Sequence, residues 1–454
     1  MKWNMYWKIP IILLFVIFVA GGIYGWHEYQ AFNAVPTTRL AAGSYYPEMP
    51  PDENHRYIQI PIDHQDLSLG NFTDFYLLNP KFKTGDNVVF WLCDNQQEIV
   101  GMINSPKDFE YFDENIGGLS YVLIGNRGVS PTLFPEVFNK DRSVNYPLAL
   151  KLYGSNEQID DIEAVRQDMQ KKGLLPKDGK IMVYGVSGGG VLVQQYLDKY
   201  GDHVSRALIA SSGGLDLARV HNTTFMEYTY ESNPSVANSY FALSQKGDAT
   251  ASLAFMLFKI GLEGDLNLQE RIINSKTDMF ALGDKFTYLK NWLTPTYNFP
   301  LMHLLLDAPR ELEVKVRIYE LMGVDIENYH PACAQEVCLG YEWAKVLLAD
   351  FMKAHDEGKI QIMRFALNRS RYSGEVMVWS GTADQDFAGQ MGHWVSNSYP
   401  HSRLAVFDDV HHLRKYPDYY REFRKAFFTA GLNSTEVQVY FNDPRQLNVE
   451  SGCK

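Results

Sequence analysis

The residues with the most chemical potential lie in Tyr184-Gly185-Val186-Ser187-Gly188-Gly189-Gly190. Ser187 occupies a Gly-x-Ser-x-Gly pattern, just after the apolar run Ile181–Tyr184 and just before the helix-compatible stretch Val191–Tyr200. A serine hydroxyl is a weak nucleophile near neutral pH. It needs a base to take its proton and a third group to orient that base. A strand, a sharp glycine turn and a helix would lift Oγ above a sheet edge, and Gly185 and Gly189 carry no Cβ to collide in so tight a bend. The same turn aims the N–H of Gly188 at an oxyanion developing on an attacked carbonyl.

In strand–elbow–helix hydrolases the acid and the base follow the nucleophile in chain order, each beyond a later strand. The run Glu375–Trp379 reads as such a strand and leads into Ser380-Gly381-Thr382-Ala383-Asp384-Gln385-Asp386. Asp384, in Gly-x-x-Asp, is placed ahead of Asp386 as the acid. The next strand, ending Leu404-Ala405-Val406-Phe407, leads into Asp408-Asp409-Val410-His411-His412. His412, deeper in the loop and nearer the following helix, is placed ahead of His411 as the base. A second oxyanion donor should come from the turn after strand Asn87–Cys93, which reads Asp94-Asn95-Gln96-Gln97. The backbone N–H of Asp94 or Asn95, or the Asn95 side chain, would serve. A carboxylate of Asp94 turned inward would oppose the oxyanion.

These segments must be positioned by a larger framework. Strand-like runs at Tyr57–Ile62, Phe72–Leu78, Asn87–Cys93, Leu119–Gly125, Ile181–Tyr184, Arg206–Ala210, Glu375–Trp379 and Arg403–Phe407 predict one mostly parallel sheet, with an antiparallel pair at its start. Helical periodicity marks Asn156–Lys172, Phe387–Tyr399 and Pro417–Ala430. Between 216 and 370 the β/α alternation stops and helical patterns take over. The pattern predicts an α/β fold with its core at 55–215 and 371–445, carrying a helical cap at 216–370. Residues 27–54 read as a linker.

With 454 residues, 46% of them apolar and 21% charged, the chain has the mix of a globular protein with an ample core. The net charge of −12 and the lack of a basic stripe argue against a nucleic-acid partner. Lys2 and Lys8 precede an uncharged run, Ile9–Trp26, that reads as a signal peptide or membrane anchor. The charge placement predicts that the remainder is exported, in the periplasm or outside the cell. Cys333 and Cys338 are close enough in sequence to close a small loop, with two free thiols the equal alternative. Cys93 reads as a buried small residue. No Cys/His spacing suggests a zinc site.

The chain resembles the α/β-hydrolase superfamily, and within it the proline iminopeptidase and tripeptidyl-aminopeptidase type of serine exopeptidase. Ile60-Pro61-Ile62-Asp63-His64 is similar to those enzymes' Val-Pro-x-Asp-His/Tyr segment. Asn126-Arg127-Gly128-Val129-Ser130 is similar to their Asp-x-Arg-Gly-x-Gly-x-Ser turn, shortened and without the acid. Asp161-Ile162-Glu163-Ala164-Val165-Arg166 resembles their Asp-x-Glu-x-x-Arg helix. The chain departs from the superfamily at the oxyanion turn, which lacks the usual glycines. The resemblance implies acyl transfer to water through Ser187, Asp384 and His412, with no metal or organic cofactor and a small peptide or ester as substrate. An exopeptidase of this kind needs carboxylates for the substrate ammonium, and Glu311, Glu313, Glu320 and Glu327 are the cap's candidates. An esterase would line the cap with apolar residues such as Phe255–Phe258 and Met302–Leu306. A third expectation, from the unusual oxyanion turn, is a non-catalytic binding module on a hydrolase fold.

Overall fold

The computed structural model describes residues 52–94, 106–128, 134–307, 309–387 and 389–447, with a few isolated positions before them. Asn95 and the run Ile9–Trp26 lie outside the described residues. Among those described, no helix is long and apolar enough to cross a membrane.

Eight strands form a single sheet in the order β1-β2-β4-β3-β5-β6-β7-β8. They are β1 His55–Pro61, β2 Asn71–Leu78, β3 Val88–Trp91, β4 Ser120–Ile124, β5 Ile181–Val186, β6 Val204–Ala210, β7 Glu375–Gly381 and β8 Ser402–Phe407. β2 pairs antiparallel with both β1 and β4, and every other pairing is parallel. The central strands are buried on both faces, as parallel strands covered by helices must be. Their side chains alternate accordingly. Val88, Phe90, Ile181, Val183, Ala207, Ile209, Val376 and Val378 enter one core, under helices Ser155–Lys171 and Gly188–Tyr200. Val89, Trp91, Met182, Tyr184, Leu208, Met377 and Trp379 enter the other, under helix Pro417–Ala430. This is the α/β-hydrolase fold.

Helices fill the stretch between β6 and β7, from Leu215 to Asp356. The chain leaves the core at Asp216 and returns at Arg369, and these two residues clasp each other. Both terminal nitrogens of Arg369 donate to the Asp216 carboxylate at 2.7 Å, and Nε donates to Gln194 on helix Gly188–Tyr200 at 2.9 Å. A planar guanidinium suits this two-pronged contact as no lysine could. The helical block is thereby fastened to the helix that carries the serine turn.

The segments that carry the family resemblance meet in a second buried cluster. Arg127, fully buried, donates from Nε and Nη2 to Asp161 at 2.5 and 2.6 Å and from Nη1 to the carbonyls of Ile62 and Leu152. His64 adds a ring nitrogen 2.8 Å from Asp161. Glu163 and Arg166 pair with each other, and Tyr196 donates to Glu163. These motifs brace the sheet edge and the helix before the serine turn. Cys333 and Cys338 are free thiols, so the small disulfide loop that their spacing allows is not formed; Cys93 is buried.

Removing one partner of the Asp216–Arg369 clasp leaves a largely desolvated charge. Arg369→Met should cost about 3–5 kcal/mol, read as a lower urea midpoint. Arg369→Lys should recover only part of it.

Candidate active site

Ser187 joins β5 to helix Gly188–Tyr200 with φ +55° and ψ −127°. For a residue with a Cβ this backbone costs on the order of 1–3 kcal/mol and persists only where the surroundings impose it. Here they do. Ser187 N–H donates to the Ala210 carbonyl at 3.0 Å, and its own carbonyl accepts from Gly190 N–H and from Ser212 Oγ. The flanking glycines allow approaches no other residue would tolerate. A Cβ at Gly185 would lie 2.3 Å from the Gly189 carbonyl oxygen, and one at Gly188 would lie 2.0 Å from Asp94 Oδ2. As the first helical residue, Gly188 carries one of the N–H groups that helix geometry leaves without an internal partner.

Asp384 follows the end of β7, and His411 follows the end of β8. His411 donates from Nδ1 to Asp384, 3.0 Å from each carboxylate oxygen. Asp384 is fixed in turn by the backbone N–H of Asp386 at 2.8 Å. The imidazole on Asp384 is therefore that of His411, not that of His412 as the sequence suggests. The two rings lie edge to face, 4.8 Å between centroids. Adjacent residues of a loop project in different directions, so only one of them can face the acid. Burial, then the neighbouring His411, Arg414 and Lys259, push the His412 pKa down to about 3, which keeps that ring neutral.

His411 is almost fully buried between two aspartates. Its Nε2 lies 3.6 Å from Asp386 Oδ2, on the side opposite Asp384. Burial alone would lower the imidazole pKa. The charge and hydrogen bond of Asp384, and then the charge of Asp386, reverse this and raise it to about 9. Burial likewise raises the Asp386 carboxyl, against the pull of His411, to about 6. No described residue gives the Asp386 carboxylate a hydrogen bond. Ser187 Oγ makes no hydrogen bond to His411 in this state; such contacts often tighten only when substrate arrives.

Ser187, Gly188, Asp386, His411 and His412 share one cavity of about 230 Å³. Its other walls are apolar and come mostly from the cap: Phe255, Phe258 and Leu262 of helix Ala251–Leu262, Leu321 and Met322 of helix Leu312–Asn328, and Trp343. Phe225, Met226 and Phe387 close the rest, and Lys259 adds one amine. A larger cavity of about 450 Å³, on the far side of Phe225, contains none of the groups around Ser187.

Asp94 also reaches the cavity, and its carboxylate lies against Gly188. It is fully buried but not uncompensated. Arg317, from the cap, donates from Nε to Asp94 at 3.0 Å, from Nη1 to Glu320 at 3.0 Å and from Nη2 to the Gly188 carbonyl at 3.2 Å. The other oxyanion candidate, Asn95, lies outside the described residues. None of the four cap glutamates lines the cavity. Glu320 is held by Arg317 and the Ser155 N–H, Glu327 meets His355, and Glu313 is buried next to Gly128. Phe255 and Phe258 do line it, whereas His303 and Leu306 border a different hollow.

Arg317 and Lys259 were not among the sequence candidates. Lys259 carried a signal, being the single charge in the apolar helix Ala251–Leu262. Arg317 carried none, because its partner Asp94 lies far away in the chain. Among the described residues no cluster of three His, Cys, Asp or Glu side chains is arranged to hold a metal.

No family model matches the chain, and no curated protein does. Solved structures resemble it at low identity. One is a proline iminopeptidase from Mycobacterium smegmatis, 13% identical, covering 82% of this chain and 98% of its own, with a TM-score of 0.40. Another is MGS-M2, an α/β hydrolase enzyme from a Medee basin deep-sea metagenome library, 10% identical over 82% and 94% of the two chains, TM-score 0.35. A third, Est816, described as an N-acyl homoserine lactone degrading enzyme, is 15% identical over 78% and 96%, TM-score 0.37.

Two substitutions test this geometry. Ser187→Gly removes the Cβ from a left-handed backbone and should raise stability by about 1 kcal/mol, seen as a higher thermal midpoint than Ser187→Ala gives. Arg317→Met strands Asp94 and Glu320 in the interior and should cost about 3–5 kcal/mol in urea unfolding.

Proposed function

We propose that this chain is a serine exopeptidase acting through an acyl-enzyme, with Ser187 as nucleophile, His411 as base and Asp384 as the group that orients the base. The observation that carries the reading is the strained Ser187 turn opening into the same cavity as a histidine that Asp384 holds by Nδ1. Ser187 Oγ adds to the substrate carbonyl while its proton passes to His411 Nε2. Asp384 stabilises the imidazolium that forms. The Gly188 N–H faces the oxyanion. His411 then returns the proton to the leaving amine, and water hydrolyses the acyl-enzyme by the same steps in reverse roles. This chemistry calls for no metal or organic cofactor.

A peptide end is favoured over a neutral ester by Asp386. Its carboxylate faces the cavity beside the base, and no described residue gives it a hydrogen bond. An ammonium one carbon away from the scissile carbonyl would give it a hydrogen-bonding counter-charge, whereas a neutral acyl group would leave it with only the His411 ring, 3.6 Å away. Asp386 thus takes the part the sequence assigns to the cap glutamates. The uncharged run Ile9–Trp26, with Lys2 and Lys8 before it, supports an exported enzyme, held at a membrane surface where that run is kept.

Fluorophosphonate should label the wild type and leave Ser187→Ala unlabelled; equal labelling of both would sink the assignment. Only a neutral imidazole accepts the serine proton, so the labelling rate should rise with pH, pass half-maximum near pH 9 and level off above it. In Asp386→Asn one of the charges that favour the imidazolium is gone. The rise should then move to lower pH, as measured by labelling rates between pH 6 and 10.

A further inference from the structure

The catalytic cavity holds a second unsatisfied charge. Lys259 lies on the face of helix Ala251–Leu262 that also carries Phe255, Phe258 and Leu262, and all four line the cavity with Ser187. Among the described residues its ammonium has no hydrogen-bond acceptor and no carboxylate within 4.0 Å. The charged and titratable groups around it are Asp386, Glu263, Arg414, His411 and His412. Glu263 is already engaged by Arg414, and Asp386 leans towards His411 instead. Burial pulls the Lys259 pKa down, the direction expected for an amine lacking a full counter-charge.

The cavity thus presents a carboxylate and an amine that do not pair with each other, among walls that are mostly apolar. A charge in such surroundings gains from a partner of opposite sign. The complement is a molecule with an ammonium, a carboxylate and little polar surface between them. The cavity is small, about 230 Å³, which favours a short molecule.

We infer that the preferred substrate is a free dipeptide, whose ammonium is received by Asp386 and whose terminal carboxylate is received by Lys259. The inference rests on the exopeptidase reading and narrows it. The one amide carbonyl of a dipeptide lies between its two charged ends, and Ser187 lines the same cavity as the two residues that would receive those ends. The reaction consumes one water and yields two amino acids. The proton taken from Ser187 leaves with the new amine. A longer peptide would bring an amide to Lys259 in place of a carboxylate, and a blocked amino terminus would leave Asp386 without its partner.

The experiment compares kcat/KM of the full-length enzyme on Leu-Ala, Leu-Ala amide, N-acetyl-Leu-Ala and the neutral ester p-nitrophenyl butyrate. Wild type should prefer Leu-Ala over its amide by about tenfold or more, chiefly through KM. Lys259→Met should bring that ratio close to one, and Lys259→Arg, which keeps the charge, should preserve it. A wild-type ratio near one overturns the inference. So does an undiminished ratio in folded Lys259→Met, which would make Lys259 only a distant counter-charge for Asp386. The underlying reading fails differently. Cleavage of the butyrate ester alone would leave a serine hydrolase but remove the exopeptidase. Turnover that survives in Ser187→Ala would remove the catalytic serine itself.

Discussion

The backbone at Ser187 is the constraint around which the core is arranged. A φ of +55° in a residue with a Cβ is held only because neighbours on every side over-determine it. β6 contributes the Ala210 carbonyl, the following loop contributes the Ser212 hydroxyl, and the helix contributes Gly190 N–H. Gly185 and Gly188 allow backbone and Asp94 to close in where any side chain would collide. The strain has a chemical return. It takes the hydroxyl out of the hydrogen bonding a helix start would offer and presents it, with an unpaired N–H beside it, at the C-terminal edge of a parallel sheet. The acid and base loops emerge on the same edge because β5, β7 and β8 run in parallel.

The cap is part of this arrangement. Arg317 reaches from the cap to Asp94 and to the Gly188 carbonyl, so the residue beside the nucleophile is held from above as well as below. The Asp216–Arg369 clasp ties both ends of the cap to the same helix through Gln194. A buried carboxylate against Gly188 would be a serious liability if left alone. Paired with a buried guanidinium, it becomes a structural tie whose charge is balanced before substrate arrives. The missing glycines of the oxyanion turn and the presence of Arg317 are therefore linked features.

Much of this was legible in the sequence, because it depends on local patterns. The eight strands follow from apolar runs bounded by turn residues, and the start and end of helix Pro417–Ala430 from its proline and the glycine after it. Ser187, Asp384 and the His411-His412 pair could be placed by chain order alone. Which histidine faces the acid could not. The two histidines occupy a turn closed by Leu413 N–H on the Val410 carbonyl, where adjacent side chains point apart, and nothing in the neighbouring residues marks which one meets the acid. The ammonium anchor was sought in the cap because glutamates are plentiful there. Their helices turn them towards Arg317, Ser155 and His355 instead. The carboxylate that does face the cavity, Asp386, was in view only as a rival for the role of Asp384.

The two aspartates on His411 give this rivalry a physical meaning. Asp384 meets Nδ1 and fixes the ring; Asp386 stands near Nε2, the nitrogen that would serve the serine in the proposed mechanism. Without substrate both carboxylates favour the imidazolium, a form that cannot accept a proton. When a cation settles on Asp386, one of the two charges that stabilise the imidazolium is neutralised. The ring then gives up its proton more readily, and Nε2 loses the partner that competes with Ser187. Binding at Asp386 and activation of the base become the same event. A substrate without a positive charge would enter the cavity and leave the base protonated, so discrimination would appear in the chemical step as well as in binding. In the proposed mechanism selectivity would follow from placing the substrate's counter-charge on the side of the His411 ring opposite Asp384.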